Sequence, residues 1–520
     1  MKNNKKAALK TAVCFGLAVL LAGCAGSRRQ ETSVRLTTSH NQIVGKAALQ
    51  NRLTQILQDS VLTPAIVGLK VVNLETEEVL FQQYEKTLFN PASTMKMYTG
   101  AAALKYLGPE FRYETTLVID SAAVVADTLH GDVYLVGSGD PSLKTAHFSE
   151  MIDALLSQGI RHVTGDLVCD DTFFDDLRYG EGWMWDDQPY YFVAPISALS
   201  VNLNVVEIYA SPGDSIGAPA KLRMIPTNDF MTFENQSVTI DSATFKAAKE
   251  DSTQTMEPFN IMRRWRVQTN VVDVTGAIVE EGEEVVRVRN IVHPTLFAGT
   301  LFQKNAERAG ITIGGKVIRG AVPENRRVLA SHVSEQMGTL VANMNKPSDN
   351  VHAEALLKTV AAMQKGQPGT TTDGAEIIKE MLASWGLNPK AYRIADGSGV
   401  SSYTLLSPES MVTLLMEVYR DFEVRNEFVA SLPIAGVDGS LRNRMKETAA
   451  HRIVRAKTGT ISGVSTLGGY TTTQDGDVLA FSIMMAHFVG SSTSFRNIQD
   501  EICDALTRYI SQSAQITKSR

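Results

Sequence analysis

Three short runs in this chain carry residue types that can perform acyl transfer. The first is Ser93-Thr94-Met95-Lys96. If a helix starts here, Ser93 and Lys96 lie one turn apart on the same face, so hydroxyl and amine can meet. A serine hydroxyl needs a neighbouring base to attack a carbonyl, and a lysine can be that base if burial or a second cation lowers its pKa. The second run is Ser348-Asp349-Asn350, just before an apolar helical pattern that opens near Val351. It supplies a hydroxyl to shuttle a proton and an amide to hold a peptide bond. The third is Lys457-Thr458-Gly459 inside a β-branched run. Lysine there offers a fixed cation for a carboxylate, and glycine would let a substrate backbone approach a strand edge. Each run has an ordinary alternative: a helix N-cap with a solvated lysine, a second N-cap, and a bulge glycine. A serine and lysine at this spacing should arise by chance about twice in such a chain. Their joint occurrence in this order is what carries weight.

The elements that must position these runs can be read from periodicity. Ala65–Val72 and Val79–Phe81 read as strands around a turn at Glu75–Glu78, and Thr94–Leu107 reads as a helix stopped by Gly108-Pro109. From about Thr115 to Val292 short β-branched runs predominate, including Val133–Val136, Val201–Tyr209, Val267–Val274 and Glu284–Val288, with one helix at Phe148–Gln158. Helical spacing returns at Leu301–Ala309, Glu335–Met344, His352–Met363 and Gly374–Trp385. Strands at Ile453–Thr458, Ser465–Thr472 and Val478–Ala486 follow, the last two joined through Gln474-Asp475-Gly476, before a final helix at Phe495–Ile510.

Two decoys resemble catalytic runs. Ser200-Val201-Asn202 repeats the S-x-N pattern inside a β run with no helix after it, so Ser348 is preferred. Gly213-Asp214-Ser215-Ile216-Gly217 has the form of a nucleophile elbow, but Pro212, Pro219 and Pro226 crowd it and a strand at Lys221–Met224 follows where a helix is required.

The 520 residues are 44% hydrophobic, enough apolar mass for several cores, and the net charge of −6 comes without any basic stripe, which argues against a nucleic-acid partner. Residues 1–23 read as an export signal: Lys2, Lys5, Lys6 and Lys10, then an apolar stretch from Ala12 to Leu21 too short to span a bilayer. The segment ends Leu21-Ala22-Gly23-Cys24, which resembles a bacterial lipobox with Cys24 as the lipidated residue. Loss of those four lysines takes the net charge from −6 to −10. A polar tether over 24–40 follows. The expected site is thus periplasmic, held by a lipid anchor, with the outer membrane favoured because Ala25 gives no clear retention signal. Cys169 and Cys503 are expected to be buried free thiols, and no paired-histidine motif points to a metal or other cofactor.

In the order SxxK, SxN, KTG, the three runs match the active-site set of penicillin-binding proteins and serine β-lactamases. About 250 residues separate Lys96 from Ser348. That gap resembles the class C-type low-molecular-mass penicillin-binding proteins, the D-alanyl-D-alanine carboxypeptidase/endopeptidases of the penicillin-binding protein 4 family. Further runs are similar: Phe111-Arg112-Tyr113, Gly182-Trp183-Met184-Trp185-Asp186-Asp187, Asp396-Gly397-Ser398-Gly399 and Gly436-Val437-Asp438-Gly439-Ser440-Leu441. The resemblance implies a multidomain α+β/α/β fold, a transpeptidase-like domain of antiparallel sheet flanked by helices with nested β-rich insertions. Its expected parts are a discontinuous catalytic domain over 41–114 and 301–516, an inserted domain over 115–136 and 205–300, and a nested domain over 137–204. It implies a serine DD-peptidase that acts on peptidoglycan peptides ending in D-Ala-D-Ala or on DD-crosslinks, and that binds β-lactams covalently; a β-lactamase or esterase on the same scaffold is the alternative. Carried over by motif, Ser93 is the nucleophile, Lys96 the base, Ser348 the proton relay and Asn350 the amide holder. Lys457 and Thr458 bind the terminal carboxylate, Gly459 admits the substrate strand, and the N–H groups of Ser93 and Thr460 form the oxyanion hole. Asp187 would read the diamino-acid side chain. Ser402, followed by Tyr403, stands where relatives often carry an arginine for the diamino-acid carboxylate, which leaves that specificity open.

Overall fold

The computed structural model describes residues 42–120, 123–250, 256–324 and 327–511. The expected signal, tether and Cys24 lie outside the described residues.

The sheet that carries the third run has five antiparallel strands in the order Arg455–Ile461, Val464–Thr472, Val478–Ala486, Ile66–Asn73, Val79–Gln83. Its central strands are buried on both faces, and the side-chain period of two divides them between two cores. Leu479, Phe481, Ile483 and Met485 pack with Leu49, Leu53, Ile502 and Leu506 from the helices Lys46–Ile56 and Thr493–Thr507. Ala480, Met484 and Ala486 face the other way, into a core built on Met95–Leu107, Met337–Asn345, Asn350–Lys365, Thr371–Ser384 and Pro408–Arg420. Met95–Leu107 is buried from Met95 to Leu104, which explains its Ala-rich, scarcely amphipathic composition. It stops at Gly108, whose φ of 85° is open to glycine. The last helix ends at Thr507, three residues before the expected Ile510, because Tyr509–Ile510 pairs in parallel with Ile43–Val44.

The inserted segment is divided differently from the sequence expectation. Val133–Val136 pairs in parallel with Leu167–Asp170, and that strand pairs in parallel with Val317–Arg319, while Glu114–Ile119 pairs with Arg327–Val333. Residues 137–204 therefore share a sheet with 114–136, and the chain up to Val333 still belongs to this body, beyond the expected return at 301. The physical reason is a common core: Phe148, Phe297, Phe302 and Leu301 from two helices pack on Leu117, Leu135 and Leu167 of the sheet. Residues 205–290 form sheets of their own, with Val205–Ser211 between Lys221–Ile225 and Val285–Asn290, and Val271–Thr275 between Thr232–Asn235 and Asn260–Arg263, but Val206, Ile208 and Val274 pack into the same core. The expected strand Val201–Tyr209 starts only at Val205, because Asn202, Leu203 and Asn204 turn through positive φ. The Gly213–Gly217 run is a connection between two strands. Cys169 and Cys503 are unpaired and sit in different cores.

Candidate active site

Ser93 lies in a single 3-10 turn, Ala92–Thr94, that runs into the Met95–Leu107 helix. Ala92 has φ of 46°, a left-handed conformation that costs a non-glycine residue on the order of 1 kcal/mol and persists only when its surroundings fix it. Here they do. Asn90 Oδ1 accepts from Ala92 N at 2.8 Å and Asn90 Nδ2 donates to Ser401 O at 2.9 Å. The Pro91 carbonyl accepts from the hydroxyls of Thr94 and Thr466, each at 2.7 Å. Gly399, with φ of 77°, presses on the same turn; a Cβ there would come within 1.9 Å of Ala92 O.

Lys96 is fully buried, and its Nζ donates three times: to Ser93 Oγ at 3.1 Å, Asn350 Oδ1 at 2.5 Å and Ser398 O at 2.7 Å. Burial pulls its pKa down from 10.5 to about 8, against the opposing pull of Asp396, Asp349 and Glu354. Near-neutral water can therefore take its proton, and the free amine then faces the Ser93 hydroxyl.

Asp349, rather than Ser348, caps the Asn350–Lys365 helix, accepting from His352 N at 2.8 Å. Ser348 itself turns through φ of 67°. That turn points the Ser348 hydroxyl at Lys457, whose Nζ donates to Ser348 Oγ and Thr458 O at 2.8 Å each. Lys457 is fully buried, and burial together with the nearby Lys96 pushes its pKa well below the usual lysine value. Asn350 bridges: besides Lys96, its Nδ2 donates to Phe192 O of the inserted body at 2.6 Å. The structure thus gathers Ser93, Lys96 and Asn350 in one hydrogen-bonded group and Ser348 and Lys457 in another.

Arg455–Ile461 is an edge strand, bonded along its length to Val464–Thr472 alone, so its other edge is open beyond Ala456 N, which donates to Pro433 O at 3.0 Å. Such an edge can take an added strand. Thr458 is half-buried and its hydroxyl bonds Ser440 Oγ at 2.7 Å, while Thr460 is exposed. Gly459 has a packing reason of its own, besides the expected one. A Cβ there would meet Thr466 Oγ1 at 2.2 Å, Pro91 O at 2.7 Å and Ala92 Cβ at 3.0 Å. The missing side chain lets the protein's own Ser93 turn pack on this strand.

The segment after Gly180 closes over the site. Trp183 Nε1 donates to Asp396 Oδ2 at 3.0 Å, and Phe192 O receives Asn350. Asp187 lies between these anchors, half-buried, its carboxyl pushed up by partial burial and by Asp186, and its side chain bonds none of the motif residues. Ser402 is exposed, its hydroxyl 3.4 Å from Gly182 O.

Two functional-site acids escaped the sequence reading. Asp396 is fully buried and accepts from Ser401 N at 2.7 Å, from Gly399 N and from the Ser398 and Thr404 hydroxyls, which shapes the loop whose Ser398 carbonyl holds Lys96. Glu354 accepts from Gly397 N and Ser398 N, and burial plus the charge of Asp396 push its carboxyl up to about 7. The Asp396-Gly-Ser-Gly run was a visible signal for the first; Glu354, one turn after Asn350, looked like an ordinary helix acid.

Comparison with known proteins gives a consistent neighbourhood. The model of the D-Ala-D-Ala carboxypeptidase 3 (S13) family matches residues 49–509. The chain is 34% identical over 480 residues to a D-alanyl-D-alanine carboxypeptidase of Actinomadura sp. (strain R39), covering 90% of this chain and 86% of that protein. It is 26% identical over 417 residues to the D-alanyl-D-alanine carboxypeptidase DacB of Haemophilus influenzae, covering 80% and 84%. The crystal structure of penicillin binding protein 4 (dacB) from the same organism superposes with a TM-score of 0.75 at 25% identity, over 86% of this chain and 97% of that one.

Proposed function

The chain belongs to the D-Ala-D-Ala carboxypeptidase 3 (S13) family, and from that premise we propose that it is a serine DD-peptidase of peptidoglycan whose acyl-enzyme forms on Ser93. The observation that supports this most is the hydrogen-bonded chain from Ser93 Oγ through Lys96 Nζ to Asn350, with Ser348 and Lys457 alongside. In the reading proposed, neutral Lys96 takes the Ser93 proton as Oγ adds to the penultimate D-alanine carbonyl. The oxyanion is held by the N–H groups of Ser93 and Thr460, a type of interaction typically worth several kcal/mol of barrier. The proton returns through Ser348 to the leaving amine, the C–N bond breaks, and D-alanine departs. Water then attacks the ester and regenerates Ser93. Lys457 and Thr458 take the terminal carboxylate, whose charge raises the pKa of the buried lysine and keeps it a cation. Asn350 holds the substrate amide. Asp187, on the segment between Trp183 and Phe192, faces the donor side chain. β-Lactams would acylate the same hydroxyl.

The leader supports a location. Cys24 is proposed as the lipid attachment point of a periplasmic, outer-membrane-anchored enzyme. A Cys24→Ser chain should leave the membrane fraction; retention there would remove the lipid proposal. The activity is tested by mass spectrometry of purified muropeptides before and after incubation. Loss of the terminal D-alanine, or conversion of crosslinked dimers to monomers, is expected from the native enzyme and not from Ser93→Ala. Unchanged muropeptides would contradict it.

A further inference from the structure

One residue bonds the cap of the Asn350–Lys365 helix twice. Asp349 Oδ1 accepts from His352 N at 2.8 Å, and His352 Nδ1 lies 2.8 Å from the same oxygen. The backbone bond alone completes the N-cap, so the ring is an addition to it. The addition is not neutral. His352 is 6% exposed, and its Nε2 is buried with no hydrogen-bond partner among the described residues. A bare buried nitrogen is a cost of folding that a leucine at this place would avoid. The Nδ1 bond is therefore what this histidine adds.

That bond acts on the charge beside the buried lysine. Asp349 stands between Ser348, which accepts from Lys457, and Asn350, whose Oδ1 accepts from Lys96 Nζ at 2.5 Å. Burial raises the Asp349 carboxyl, but the bonds from His352 and the charge of Lys96 outweigh it and hold the group below its usual pKa. It is a carboxylate at neutral pH, so Nδ1 carries the hydrogen between them whether the ring is neutral or charged. Its charge acts on Lys96 together with those of Asp396 and Glu354, all three favouring the ammonium. Asp396 and Glu354 are each held by backbone N–H groups of the loop from Gly397 to Ser401. Among the described residues, His352 is the one side chain bonded to Asp349. The other titratable groups around His352 line a cavity that it borders: Arg112, Lys144, His147, Glu207, His332 and Glu335.

We propose that His352 is a positioning residue of the acyl-transfer centre, which by donating Nδ1–H to Asp349 takes up charge that would otherwise hold the proton on Lys96. A donor withdraws negative charge from a carboxylate oxygen and fixes where that oxygen stands, so less of the charge acts on a neighbouring ammonium. The role in acyl transfer rests on Lys96 being the base of the proposed reaction.

A double-mutant cycle read through pH tests this. Labelling by a fluorescent penicillin is followed from pH 6.5 to 9.5 in the full chain, in His352→Leu, in Asp349→Asn and in the double variant. Asparagine at 349 keeps the N-cap. His352→Leu should move the rising limb up by about half a pH unit, so that the ratio of labelling at pH 7.5 to that at pH 9.5 falls about threefold. Asp349→Asn should move the limb down, and adding His352→Leu to it should move the limb no further. His352→Asn, whose amide can donate from the Nδ1 position, should keep the native limb. His352→Gln, whose amide reaches the Nε2 position instead, should act as His352→Leu does and takes its place if leucine prevents folding. NMR of 13C-labelled lysine, with the Lys96 signal identified by its loss in Lys96→Ala, follows the same proton directly. A Lys96 titration unmoved by His352→Leu and His352→Gln, a shift of equal size with and without Asp349, or labelling slowed equally at every pH would overturn the proposal. If the NMR titration shifts as expected while labelling shows no limb at all, the link from His352 to Lys96 stands and the proposed function loses its base.

Discussion

The pH dependence of acylation is the sharpest consequence of the buried lysine. Lowering Lys96 from 10.5 to about 8 corresponds to about 3 kcal/mol of burial cost that its acidic neighbours do not recover. As the base, Lys96 must be neutral. At pH 7 roughly one tenth of it is, at pH 9 roughly nine tenths. The second-order rate of labelling by a fluorescent penicillin should therefore rise about tenfold from pH 7 to pH 9, with a midpoint near 8. Glu354 supplies a check on the sign. Its charge is one of those that hold Lys96 protonated. Glu354→Gln keeps an acceptor for Gly397 N and Ser398 N but removes that charge, so the limb should move to lower pH and labelling at pH 7.5 should quicken. Stopped-flow fluorescence over this range decides the matter. A flat profile, a midpoint below 7, or a limb moved upward by Glu354→Gln would refute the assignment of Lys96 as base.

Other expectations concern stability and substrate choice. Glu354 has its folded pKa raised from 4.5 to about 7, so its contribution to stability is present below 4.5 and is lost as pH rises to 7. Glu354→Gln should then shrink the fall of the thermal midpoint between pH 5 and pH 8; an unaltered fall would place that loss elsewhere. Gly399→Ala should cost about 1–3 kcal/mol and slow labelling, since both the left-handed φ and the 1.9 Å approach to Ala92 O forbid a Cβ; thermal unfolding and labelling rate read the two effects. Lys457→Ala should reduce turnover of peptides with a free terminal carboxylate more than turnover of simple esters, and equal losses would remove the carboxylate role.

Much of the site was legible because its members are rare combinations of reactive residue types, and because the Ser93 and Asn350 helices and the Arg455 strand announce themselves by period. What stayed hidden depended on contacts across the chain. Glu354 lies in a helix whose faces are all covered, so helical spacing could not mark it as buried. The packing demand on Gly459 stayed hidden because only the folded strand brings Thr466 and Pro91 against it. The end of the inserted body was placed too early, since nothing local to 294–333 shows that Val317–Arg319 pairs with a strand about 150 residues earlier. The helix Pro408–Arg420 was overlooked although Ser407-Pro408 is a recognisable start, with Ser407 accepting from Ser410 N at 3.1 Å.

The central claim is that Ser93 is the acylated group. Mass spectrometry of the penicillin-treated, digested protein tests it most directly. The account predicts a penicilloyl adduct on the peptide containing Ser93, and none anywhere in Ser93→Ala. An adduct at Ser200, Ser215 or Ser348, or persistent labelling of Ser93→Ala, would contradict it.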